Sequence, residues 1–191
     1  MGKFMENLHR VLLAGVVLAI IVALWRHSDQ LATQVYWAGI FRWIHVFTGV
    51  LWIGLLYYFN FVQIPSMPKI PDEQKPAIGK VIAPTALFFF RWAAAGTVLF
   101  GVLTAGANHY LVEALTFQAG TVTIGIGMWL ALIMAANVWF IIWPNQKKAL
   151  GIVTVDADAK KAAARIAMLA SRTNTMLSIP MLYCMVMQKL G

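Results

Sequence analysis

The sequence predicts an all-α, polytopic membrane helix bundle of about five transmembrane helices, and three observations predict it. Of its 191 residues, 61% are hydrophobic and only 12% are charged, with a mean hydropathy of +0.74. The apolar residues gather in unbroken runs without period-two alternation. The Lys and Arg residues fall almost entirely between those runs. Hydrocarbon holds no water to satisfy backbone N–H and C=O groups, so a spanning chain must close its hydrogen bonds within a helix or a closed barrel. Long unbroken runs select helices.

Spans are expected at about 8–25, 36–62, 84–108, 121–143 and 172–189, within a single transmembrane domain, since ~20 residues cross ~30 Å of hydrocarbon. The first run ends in Trp25, Arg26 and His27 rather than a small-x-small cleavage site, so it reads as a retained helix and not a secretory signal. Pro65, Pro68, Pro71 and Pro76 place a loop over 63–80, because proline lacks the N–H that continues a helix. Pro144 is expected to end the fourth span. Asp156 or Asp158 then caps a helix through Ala162, Ala163, Ala164 and Met168 that runs on into the fifth. The single cysteine, Cys184, excludes an intramolecular disulfide and reads as a small packing residue.

The net charge of +8 is explained by topology rather than by a nucleic-acid partner. Alternate crossings put Lys3, Arg10, Lys69, Lys75, Lys80, Lys147, Lys148, Lys160, Lys161 and Arg165 on one side, against Arg26 and Lys189 on the other. The positive-inside rule makes the N-terminus cytoplasmic and the C-terminus external. Tryptophans near the expected ends, such as Trp25, Trp37 and Trp143, fit interfacial belts.

Ionisable groups in hydrocarbon are costly, so each needs a partner or a purpose. Steps of three, four and seven put Arg42, His45, Gly49, Leu56, Asn60 and Gln63 on one face of the second span. His45 lies about 13 Å below the outer interface at 1.5 Å per residue from Tyr36. An imidazole at that depth either binds a haem iron or hydrogen-bonds a neighbouring helix. Gly49 either leaves room for a flat macrocycle or serves close helix packing, and Arg42 is placed to pair with a haem propionate. Arg91 and His109, both candidates for a cofactor site, share a face of the third span but stand near opposite membrane surfaces. His109 and His27 are alternatives for a second iron ligand only if their helices shift inward; otherwise they are interfacial histidines. Ala93, Thr97, Gly101 and Ala105 form a small-residue ladder suited to packing against another helix or subunit. Asn137, Arg172, Asn174 and Ser178 are expected to hydrogen-bond between helices, with a place at the cytoplasmic interface as the alternative for Arg172 and the Lys147–Lys148 pair. None of the seven acidic residues lies well inside a span, which argues against carboxylate-based proton pumping. No phosphate loop, Ser-His-Asp order or HExxH motif is present.

The stretch RWIHVFTGVLWIGLLYYFNFVQIPSM, from Arg42 to Met67, resembles the N-terminal membrane domain of the bacterial membrane-bound urate oxidase (urate hydroxylase) family. FFFRWAAAGTVLFG from Phe88, IIWPNQKKALG from Ile141 and ASRTNTMLSIPMLY from Ala170 extend the resemblance in order. It implies a bacterial inner-membrane domain with a periplasmic C-terminus, and electrons passing from substrate towards respiratory cytochromes. Longer family members carry a C-terminal cytochrome c. This sequence contains no Cys-x-x-Cys-His, so a separate cytochrome c or a larger membrane complex is the implied partner, with a homo-oligomer as an option. A weaker similarity of the His45 segment to small haem-associated membrane proteins, such as certain protoporphyrinogen oxidases, points again to haem b. The readings that remain open are a haem-carrying electron-transfer protein, a urate-oxidising oxidoreductase, and a non-catalytic accessory subunit.

Overall fold

The computed structural model describes residues 2–188. Seven helices account for the fold, and no strand occurs among the described residues. They are α1 (Gly2–Met5), α2 (Leu8–His27), α3 (Gln34–Lys69), α4 (Lys75–Ala107), α5 (Leu111–Leu115), α6 (Val122–Ala149) and α7 (Ala157–Met187). α2, α3, α4 and α6 are each long and apolar enough to cross a membrane. α7 has the length, but Arg172, Asn174, the flanking threonines and Ser178 dilute its apolar run, so it does not join those four. Lys189, counted above on the outer side and closing the expected fifth span, lies outside the described residues.

Local signals explain the helix starts. Asn7 caps α2 and Thr33 caps α3, each side chain accepting a backbone N–H from the first turn. Asp156 caps α7, its Oδ1 accepting from the Ala159 N–H at 2.7 Å. α7 then runs unbroken through Pro180, as expected of a helix continuing into the last apolar run.

Two expectations about proline are corrected. The loop placed over 63–80 shrinks to the few residues between Lys69 and Lys75, and Pro144 does not end α6, which continues to Ala149. The reason is a recurring local device. Wide π turns occupy Tyr58–Gln63 in α3, Ile78–Ile82 in α4 and Val138–Ile142 in α6. Each is followed by a proline in the first turn of the next α segment: Pro65, Pro84 and Pro144. A missing N–H is tolerated there because the i→i+5 turn has already displaced the hydrogen-bond ladder.

The core forms where α3, α4, α6 and α7 meet. Trp52, Leu56, Phe90, Ala94, Met134 and Val138 are fully enclosed. The small-residue ladder does what its spacing predicts: Ala93, Thr97 and Ala105 are buried, and α3 packs closely along α4. Cys184 is also buried, with its Cβ against Gly127, as a packing residue should be. α2 contributes no buried residue, and its apolar side chains face outward all round, which suits contact with lipid.

Candidate functional site on the α3–α4 seam

His45 lies on the seam between α3 and α4. Its Nδ1 is 2.7 Å from the backbone carbonyl of Thr97. A carbonyl only accepts, so Nδ1 is the donor, and in a neutral ring that leaves the lone pair on Nε2. Nε2 has no hydrogen-bond partner among the described residues, and the ring is only half-buried. The ring rests against Gly101, where an added Cβ would come within 2.9 Å of both Cε1 and Nδ1. Glycine is therefore required there for the imidazole to occupy the seam. Thr97 adds rigidity by donating its hydroxyl to the Ala93 carbonyl at 2.7 Å.

Beside the ring is an almost wholly apolar cavity of about 70 Å³, bordered also by Leu111, Met128, Leu132 and Met185. The periodicity of α3 alone gave no sign of Thr97, Met128 or Met185, because they arrive from other helices. Gly49, one turn from His45, faces α4: a Cβ there would stand 3.7 Å from Thr97 Cγ2. In this structure it serves the close approach of the two helices. Arg42 is exposed, one turn nearer the start of the same helix. Tyr110, just beyond α4, lies within its electrostatic reach: burial pushes the phenol up from its ordinary range and the Arg42 charge opposes that shift.

The other expected residues do not join His45. His109 Nε2 is 2.9 Å from Gln34 Nε2, which also donates to the Ala107 carbonyl at 3.0 Å. These bonds tie the start of α3 to the end of α4, about 16 Å along α3 from His45. His27 is placed near Tyr36, with ring centroids 6.1 Å apart. Arg91 sits about 9 Å along α4 from Thr97, on the side away from His109, with its guanidinium over the Trp143 ring.

A second polar region lies deeper in the bundle. Tyr57 and Ser178 share a hydrogen bond of 2.9 Å, and Asn60 Nδ2 donates to Ser171 Oγ at 2.7 Å. Asn137 Nδ2 donates to Asn174 Oδ1 at 2.7 Å, and Asn174 Nδ2 in turn to the Met134 carbonyl at 3.0 Å. Asn137, Asn174 and Ser178 thus make the interhelical bonds expected of them, whereas Arg172 is exposed. Next to this region is a cavity of about 110 Å³ with a mainly apolar wall into which Gln63, Gln146 and Ser171 bring polar groups. Gln63 Oε1 and, nearby on α3, Asn60 Oδ1 are buried without partners, so water is their natural complement.

The family model described as urate oxidase N-terminal matches residues 91–190, more than half of the chain. The chain belongs to the urate oxidase N-terminal family. The matched stretch takes in Arg91, Thr97, Gly101, His109 and the cavity-lining methionines, and begins after the α3 segment that carries His45. No curated protein and no solved structure matches the chain. Membership in the urate oxidase N-terminal family agrees with helices of membrane-spanning length and apolarity. Of the polar side chains Arg42, Arg91, Asn137, Arg172 and Asn174 singled out in the apolar runs, the structure brings together only Asn137 and Asn174.

Proposed function

We propose that this chain is the membrane-embedded part of a redox system linked to urate oxidation. In this reading it sits in the bacterial inner membrane with a cytoplasmic N-terminus and passes electrons towards a periplasmic cytochrome c. Family membership supports the connection to urate, and the distribution of Lys and Arg supports the orientation. The observation that carries the redox reading is the state of His45. A histidine whose Nδ1–H is held by a carbonyl, with Nε2 free in apolar surroundings, is prepared as an axial ligand. A b-type haem bound there would supply one-electron transfer. His45 would hold the iron, and Arg42 would offer a guanidinium to a propionate.

The donor chemistry fits this group, but the enclosed space within one chain does not. The cavity beside His45 is about 70 Å³. Pockets for sizeable ligands run to roughly 300–1,000 Å³. The remaining walls would therefore come from a partner chain or a second copy. The test is an oxidised-minus-reduced spectrum of the detergent-purified protein with a pyridine haemochrome assay. A Soret band present in the wild type and lost in His45→Ala is expected. A colourless wild type, purified with haem in excess, would overturn the haem assignment.

The small cavity also favours a second reading, in which the chain is an accessory subunit and His45 is a packing histidine. That reading expects colourless protein that co-purifies with a larger membrane complex.

A further inference from the structure

Among the described residues, Arg91 is the only charged side chain that the bundle buries, at 9% exposure. Its guanidinium carbon lies 3.4 Å from the centroid of the Trp143 ring. The Lys147 ammonium stands 5.6 Å from the same ring. Two cations therefore share one indole. Arg91 Nε and Nη1 are buried and have no hydrogen-bond partner. The only ion pair among the described residues joins Lys75 to Asp72 at the surface. Cation–π attraction stabilises the charge but provides no acceptors for the guanidinium hydrogens, and a desolvated cation without a counter-ion is costly. No acidic side chain among the described residues pairs with Arg91.

Its surroundings indicate which anion. Trp92, next to Arg91 in sequence, is 56% exposed on the membrane-facing side of α4. Its ring packs edge-on against Trp139 with centroids 5.6 Å apart, and Phe88 lies 6.4 Å from it. Trp139 is one turn along α6 from Trp143, towards the middle of the bundle, while Lys147 is one turn the other way, towards the basic Lys147–Lys148 segment. Aromatic surface below and cationic surface above is the pattern that an acyl chain and its headgroup match. A freely soluble anion would gain nothing from the aromatic half.

We propose that Arg91, Trp143 and Lys147 bind the phosphate of one anionic phospholipid, with its acyl chain lying along Trp92 and Trp139. The site is independent of the haem reading and of any urate chemistry. Phosphate oxygens accept from Nη2, the guanidinium nitrogen that is not sealed inside the bundle, Lys147 closes the headgroup side, and the lipid locks α4 to α6.

Native mass spectrometry of the detergent-solubilised protein tests this, with phosphatidylglycerol, phosphatidylcholine and inorganic phosphate titrated in parallel. One phosphatidylglycerol should remain bound under activation that strips phosphatidylcholine. Lys147→Gln should weaken its retention about tenfold, and Arg91→Gln should weaken it further, as expected for loss of charge-assisted hydrogen bonds. If Arg91→Gln does not assemble, Lys147→Gln, near the end of α6, carries the test. Equal retention of both lipids, or unchanged phosphatidylglycerol binding in the variants, would overturn the proposal. Displacement of the lipid by inorganic phosphate alone would overturn the lipid assignment in favour of a soluble anion.

Discussion

The seam between α3 and α4 and the region where α3, α6 and α7 meet solve the same packing problem by opposite means. Along α3–α4 the helices approach through small residues: Gly101 beneath His45, Gly96 against Thr48, and Gly49 against Thr97. Towards the other end of α3 the contact is made by amides and hydroxyls reaching across, Asn60 to Ser171 and Tyr57 to Ser178, with Asn137 and Asn174 joining α6 to α7. In a membrane, apolar burial offers little drive for helix association, because lipid tails are as apolar as leucine. Close backbone approach and interhelical hydrogen bonds are what remain. This bundle uses each in a separate place. The α3–α4 seam, where an amide bond is made only at the end by Gln34, is the one that contains a histidine with a free nitrogen.

Substitutions that act on one region at a time test this division. The largest effect is expected for Gly101→Ala, whose Cβ would meet the His45 ring at 2.9 Å. Overpacking of this kind costs about 1–3 kcal/mol. Thermal unfolding in detergent should fall accordingly, and the His45–Thr97 bond should break. Next comes Asn174→Leu, which keeps volume but removes the bonds to Asn137 and to the Met134 carbonyl. Bonds of this type in membranes contribute about 0.6 kcal/mol each on average, so the two together come to roughly 1.2 kcal/mol, towards the low end of the Gly101→Ala range, with any spectrum that depends on His45 unchanged. Gly96→Ala should have the least effect. Its Cβ would approach Thr48 Cγ2 at 3.1 Å, a contact relieved by a shift of a few tenths of an ångström, and unfolding should move by less than about 1 kcal/mol. If Asn174→Leu proves worse than Gly101→Ala, the amides and not the glycines dominate the bundle.

The two regions also differ in how far the sequence revealed them. The helices themselves were legible, because apolar runs of membrane-spanning length admit few alternatives: α2, α4 and α6 are helices over most of the apolar runs from which spans were expected, and Asp156 begins α7 where its side chain indicated. The ladder Ala93, Thr97, Gly101 and Ala105 was legible as a packing face, since four-residue spacing alone defines it. The partner of His45 was not. A bond to a backbone carbonyl leaves no trace in residue identity, and any residue at position 97 would offer the same oxygen. Arg91 over Trp143 was equally hidden, because 52 residues separate two side chains that only the folded bundle brings together. The extent of α3 was misread for a different reason. Proline signals a break when the helix before it is regular, and here the π turns make it irregular.

Those turns have a consequence for how the chain tolerates change in length. A π turn holds one more residue than the α turn it replaces, and one residue is about 100° of helical rotation. In α3, α4 and α6 the surplus is confined to Tyr58–Gln63, Ile78–Ile82 and Val138–Ile142. The segments on either side keep their own facing because the bulge absorbs the extra rotation. Deleting a single residue at such a place would restore an ordinary turn and leave both flanks in phase. The same deletion one turn further into a regular stretch would swing every later side chain to a new neighbour.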